Sequence, residues 1–168
     1  DQIRISAKNL GDLALNNFCP RCFWIKRHCD GKLPFQVFPG IFSSIDSFSK
    51  KITNVHHEKF SAIPEWLSSL GDIETPVPTP HFSKFWTVDE KSNIKLTGTI
   101  DEIFRRKDGS YYILDYKTSK YTKTQDRLLS LYEVQLNAYA YIGNRGDFNP
   151  VTGIGLLYYE PQTDLTLC

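Results

Sequence analysis

The sequence predicts an α/β fold, a mixed central β-sheet flanked by helices, and three observations predict it. Residues 94–106 and 110–118 are crowded with β-branched and aromatic side chains on either side of Lys107-Asp108-Gly109, the pattern of a β-hairpin. Leu128, Leu131, Tyr132, Gln135, Ala138, Tyr139 and Ile142 then recur at spacings of three and four, which places them on one stripe of a helix. An aliphatic and aromatic run from Gly153 to Tyr159 follows. Strands alternating with helices of this kind form a sheet covered on its faces.

Taken in order, residues 1–30 read as an N-terminal helical arm, with Ser6 capping a helix over Ala7–Asn16 and Phe18–His28 continuing it. Residues 31–40 form a connector punctuated by Pro34 and Pro39, so 1–40 precede a core over 41–168. A long helix covers 41–60, and Pro64 opens a short turn with Trp66 and Leu67. Pro76, Pro78 and Pro80 exclude helix from 71–80, which reads as extended. A strand near Phe82–Val88 precedes the hairpin. Asp126 or Thr124 caps the helix over 127–143, Gly143-Asn144 ends it, and strands over 153–160 and 164–167 complete the sheet.

Composition sets bounds on function. A chain of 168 residues is one domain with room for a core, and 40% hydrophobic and 14% aromatic residues exclude a disordered chain. No stretch has the apolar length of a membrane span, and the start carries no signal peptide. Four cysteines without a secretory signal point to a reducing, cytoplasmic setting. The absence of methionine points to a processed or trimmed chain. A net charge of +1 gives no global attraction for nucleic acid, whereas Arg105, Arg106, Lys107, Lys117, Lys120, Lys123 and Arg127 are expected to gather into a patch that grips phosphates.

The hairpin carries the chemistry. A three-residue loop with Gly109 in the left-handed position pairs Arg106 with Ser110. Stepping back along the ladder sets Asp101 opposite Asp115, with Lys117 on the same face. Opposed like charges destabilise a sheet, unless a dication sits between them. A two-residue loop would send the carboxylates to opposite faces, so this reading requires the odd-length loop. Gln135 and Tyr139 lie on the apolar stripe of the next helix, where an unpartnered glutamine costs about 1–3 kcal/mol; packed on the hairpin, Gln135 approaches the carboxylates. In the helix over 41–60, Ile41, Ile45, Phe48, Ile52, Val55 and Phe60 recur at helical spacing. His56 lies near the centre of that stripe and His57 far from it, so His56 is expected to face the sheet and His57 solvent.

Gly98-Thr99-Ile100-Asp101, Asp115-Tyr116-Lys117 and Gln135-Leu136-Asn137-Ala138-Tyr139 resemble the G-x-x-D, D/E-x-K and Q-x-x-x-Y motifs of the RecB-type branch of PD-(D/E)xK nucleases. That branch includes the RecB and AddB nuclease domains and the Cas4-type exonucleases of CRISPR systems. The resemblance implies a restriction-endonuclease-like fold and metal-dependent hydrolysis of DNA phosphodiesters, by an exonuclease acting on single strands or DNA ends. It implies Mg²⁺ or Mn²⁺ held by Asp101, Asp115, the carbonyl of Tyr116 and His56, whose Val55-His56 step resembles the family's apolar-His pair; Glu58 is a weaker candidate. An imidazole in an oxygen-rich shell tilts the preference toward Mn²⁺. Lys117 would act on water and transition state, Gln135 and Tyr139 would position strand or lysine, and Lys120, Lys123 and Arg127 would bind DNA. Partners implied by the resemblance are recombination, repair or CRISPR adaptation machinery.

Cys19-Pro20-Arg21-Cys22 resembles the segment from which the iron–sulfur branch takes one ligand of a [4Fe–4S] cluster. That branch has three late cysteines, whereas only Cys168 is late here, so reduced thiols are the favoured reading. Cys19, Cys22 and Cys29 as a zinc set, or a cluster completed by a tail beyond residue 168, are the alternatives. Two other functions stay open: a catalytically silent nuclease fold that binds DNA or assembles with other proteins, and an interaction domain stabilised by zinc or iron–sulfur.

Overall fold

A computed structural model describes residues 2–29, 40–118 and 126–160. It contains two mixed sheets flanked by helices. The larger has the order β2 (Ile73–Val77), β5 (Glu102–Arg106), β6 (Tyr111–Thr118), β7 (Val151–Tyr159). The smaller has the order β1 (Ile3–Ser6), β4 (Ile94–Thr97), β3 (Trp86–Asp89). The helices are α1 (Ala7–Asp12), α2 (Pro20–His28), α3 (Gly40–Phe60) and α4 (Asp126–Asn144), with a 3-10 turn over Glu65–Leu70.

Strands β5 and β6 are antiparallel and β6 and β7 parallel, the latter joined through α4. The central pair is buried on both faces. Ile103 and Ile113 pack with Leu136, Ala138, Tyr139 and Ile142 of α4. Phe104, Leu114 and Tyr116 point the other way, into a cluster with Leu67 and Ile73. The alternation of strand side chains thus feeds two cores, one beneath α4 and one toward α3.

Several expectations need correction. The N-terminal arm is not wholly helical: Ile3–Ser6 forms β1, parallel to β4, before Ser6 caps a short α1 by accepting from Asn9 N–H at 3.1 Å. The stretch expected as one strand over 94–106 is broken at Gly98–Asp101 and supplies both β4 and β5. The reason is spatial: a Cβ on Gly98 would stand 2.8 Å from both Phe85 Cδ1 and Tyr139 Cδ1. The backbone itself is squeezed between two core rings as it passes from one sheet to the other. The extended stretch after Gly71 forms β2, an edge strand, where Pro76 is tolerated because one side of the strand needs no ladder bond. The strand expected over 164–167, the connector around Pro34 and Pro39, and the Thr124 cap lie outside the described residues.

α3 departs from its periodicity. Phe48, Val55 and Phe60, expected to face the sheet, are 65%, 46% and 57% exposed. The buried positions are Ser49 and Thr53, so the helix meets the sheet through a polar face. That face has polar work to do: Thr53 Oγ1 lies 3.3 Å from the Tyr116 hydroxyl.

Because Gly98 leaves no room for a methyl group between two core rings, Gly98→Ala should lower stability by about 1–3 kcal/mol. Urea denaturation should show it as a reduced midpoint with an unchanged slope.

Candidate active site

The turn that sets the site is the predicted one. Gly109 has φ +84°, its N–H donates to the Arg106 carbonyl at 2.9 Å, and Arg106 N–H donates to the Ser110 carbonyl at 2.8 Å. The ladder ends with the Glu102–Leu114 pair, and Asp101, one residue beyond β5, reaches the backbone next to Asp115 by accepting from Tyr116 N–H. Asp115 faces α4, whose Gln135 it meets, at the end of the hairpin away from the turn.

Each carboxylate has one oxygen held by a neutral donor and one turned to an ammonium. Asp101 Oδ2 accepts from Tyr116 N–H at 2.9 Å, and Oδ1 meets Lys50 Nζ at 2.7 Å. Asp115 Oδ1 accepts from Gln135 Nε2 at 3.2 Å. Its Oδ2 is ion-paired with Lys117. Gln135 Nε2 also donates to the Tyr139 hydroxyl at 2.7 Å, which accounts for a buried glutamine on an apolar stripe. Lys117 Nζ lies 4.7 Å from the centre of the Tyr132 ring. The structure therefore brings together Asp101, Asp115, Lys117, Gln135 and Tyr139, and adds Lys50.

The chemistry of this donor set suits a hard divalent cation. The side chains of Asp101 and Asp115 are 14% and 4% exposed. Two neighbouring, largely buried carboxylates are a donor set whose charge a hard dication would offset. Among the described residues no three His, Cys, Asp or Glu side chains converge into a metal-holding group. The set consists of oxygen donors, which favours Mg²⁺ or Mn²⁺ over softer ions.

His56 is not brought to the carboxylates. Its Nδ1 lies 3.1 Å from the Ala62 carbonyl oxygen, and its ring rests 4.7 Å from that of Phe60 and 6.0 Å from that of Trp66. The apolar stripe misassigned the sheet-facing side, and His56 and His57 are both half-buried. Glu58 is exposed.

Arg105, Arg106 and Lys107 sit by the hairpin turn, four to six residues from Asp101 and so roughly 13–20 Å along the strand, not around the carboxylates. Arg106 instead bonds Thr152 Oγ1 at 3.2 Å. Arg127 is exposed in the first turn of α4; Lys120, Lys123 and Cys168 lie outside the described residues. Cys19 and Cys29 flank the two ends of α2, about 15 Å apart at 1.5 Å per residue. One zinc ion cannot take Cys19, Cys22 and Cys29 together in this arrangement.

The opposite face of the same strands holds a polar group that sequence reasoning missed. Glu102 is 2% exposed, accepts from the Tyr116 hydroxyl at 3.1 Å and is also bonded by Asn54. Burial pushes its carboxyl up to about 7 despite those bonds. Burial likewise raises Asp115 to about 6, with Lys117 opposing the shift and Asp101 adding to it. Lys50 and Glu102 were hidden for the same reason: each contacts a partner brought near only by the fold.

A model of the PD-(D/E)XK nuclease superfamily matches residues 41–166 of the chain. No curated protein matches it significantly. Among the described residues no helix is long and apolar enough to cross a membrane.

Both raised carboxyls have folded pKa values above their unfolded ones, so folding favours their protonated forms. Their contribution is intact below the unfolded pKa and is lost as pH rises through about 6 and about 7. The metal-free chain should therefore melt at a lower temperature at about pH 8 than at about pH 5. Glu102→Gln and Asp115→Asn should each recover about 1–3 kcal/mol at the higher pH and almost nothing near pH 4. Thermal denaturation across pH checks this.

Proposed function

The chain belongs to the PD-(D/E)XK nuclease superfamily, and on that premise we propose that it is a metal-dependent deoxyribonuclease. The observation that carries this reading is the meeting of two carboxylates on β6: Asp101 accepts from the Tyr116 N–H, next to Asp115, and Lys117 is ion-paired with Asp115. Asp101, Asp115 and the carbonyl of Tyr116 would hold Mg²⁺ or Mn²⁺. A cation there supplies charge compensation at phosphorus and a more acidic water.

The protein groups do the rest. Gln135 fixes Asp115 through Oδ1 and is itself fixed by Tyr139, so the carboxylate is preorganised. Lys117 is relieved of neutralising Asp115 once a cation is present. Its ammonium then donates to the attacking water and to a phosphate oxygen, where charge accumulates in the transition state. Tyr132, beside Lys117, offers a ring on which an unpaired base can stack. This supports action on single strands or DNA ends, in keeping with the RecB/Cas4-like branch and with partners in recombination, repair or CRISPR adaptation. Lys120, Lys123 and Arg127 are the proposed backbone contacts.

The test is cleavage of end-labelled single- and double-stranded DNA with Mg²⁺, Mn²⁺ or EDTA. Lys117→Ala should lower saturated turnover by about 10²–10³-fold with metal and DNA binding largely kept. Asp115→Ala should lose both metal binding and cleavage. Lys120→Ala should weaken DNA affinity and flatten its salt dependence with little change in saturated turnover. Full cleavage by Asp115→Ala, or cleavage in EDTA, would overturn the reading. Tight DNA binding by a wild-type chain that never cleaves would mark a silent module instead.

A further inference from the structure

Lys50 comes to the candidate site from α3, not from the hairpin or α4. Its helix packs on the Tyr116 face through Ser49 and Thr53. Its Nζ lies 2.7 Å from Asp101 Oδ1, and its side chain stays 31% exposed. Asp101 Oδ2 is tied to the Tyr116 backbone N–H, so Oδ1 is the oxygen of Asp101 left for exchange. Lys117 stands in the same relation to Asp115 Oδ2.

The charges of this quartet set its attraction for nucleic acid. Asp101, Asp115, Lys50 and Lys117 sum to zero, and Glu102, which acts on both Asp101 and Lys50, adds no positive charge, so the metal-free site holds no net attraction for a polyanion. A bound dication raises the same group to a charge of +2 without adding a residue. The more exposed of the two ammoniums has the shorter way to solvent and to a passing strand.

Resting on the nuclease reading above, we infer that Lys50 is an exchangeable counter-ion. It occupies Asp101 until a divalent cation takes that carboxylate, and it then contacts the phosphate backbone of the nucleic acid. Cation binding and strand binding are thereby coupled through one lysine: the cation displaces Lys50, and the displaced ammonium helps to hold the phosphates. Lys50 is a positioning and binding residue in this scheme, distinct from Lys117, which acts at the reacting phosphate.

The test uses the whole chain and two probes. Mn²⁺ alone, followed by titration calorimetry, reads the competition. Single-stranded DNA in Ca²⁺, followed by fluorescence anisotropy over a range of salt, reads the second contact. Lys50→Met should bind Mn²⁺ about two- to tenfold tighter than wild type, because a competing ammonium of ordinary ion-pair strength is gone. The same variant should bind DNA more weakly in Ca²⁺, with the slope of log affinity against log salt reduced by about one. Lys50→Arg, which keeps the charge, should restore the salt slope.

Mn²⁺ affinity that is unchanged or weaker in Lys50→Met, at an unchanged melting temperature, overturns the exchange. A parallel loss of Mn²⁺ affinity and melting temperature also overturns it, since it marks Lys50 as structural support for α3. A wild-type chain that binds Mn²⁺ and cleaves while Lys50→Met matches it in every respect sinks this inference alone. A wild-type chain that binds no Mn²⁺ sinks both this inference and the nuclease reading.

Discussion

Everything chemical in this chain hangs on the register of the β5–β6 ladder. Gly109 adopts a left-handed φ that a side-chain-bearing residue would hold only with strain. That geometry makes the connection three residues long rather than two. A two-residue Asp108-Gly109 connection would shift β6 by one position, setting Asp115 opposite Glu102 on the Phe104 face and Tyr116 opposite Asp101. The ladder therefore does two things with one constraint: it fills both cores with aliphatic and aromatic side chains, and it brings two carboxylates to one end of the hairpin.

The two helices that cover the sheet support this pair unequally. α4 contributes an anchored amide, Gln135, that holds Asp115 from its own face. α3 works from behind, where Thr53 and Glu102 bracket the Tyr116 hydroxyl. Since the backbone N–H of Tyr116 is also the donor to Asp101, this one residue links the polar cluster on one face with the carboxylate on the other. Burial of Glu102 is a standing cost, and a fold under selection for stability alone would place an apolar residue there.

The range of each signal decides how much of this was legible in the sequence. The hairpin and its turn obey local rules of turn length and alternation, and the structure agrees from Glu102–Leu114 to the turn. The α4 stripe was legible because a glutamine among Leu131, Ala138 and Ile142 breaks the apolar pattern only when it has a partner. α3 was misread because periodicity assumes that the apolar side is the buried side, and here Ser49 and Thr53 are buried while Phe48 and Phe60 are not. The split of β4 from β5 was invisible because it depends on two rings, Phe85 and Tyr139, that close on Gly98 from elsewhere in the fold. Lys50 is far from Asp101 along the chain, and no periodicity connects them.

The position of the carboxylate pair along the ladder has a consequence for the way the hairpin closes. The pair sits at the open end, beyond the apolar rungs Ile103–Ile113 and Phe104–Tyr112. A closure that starts at the turn would bury hydrophobic surface before the like charges meet, so their repulsion would not oppose nucleation. The two carboxylates are also held unevenly. Asp115 is locked inside β6, paired on its far side with Leu156 of β7, whereas Asp101 precedes the first residue of β5. Asp101 is thus held by its side-chain bonds to Tyr116 N–H and Lys50 rather than by ladder pairing, whereas Asp115 is held by the pairing of its own strand.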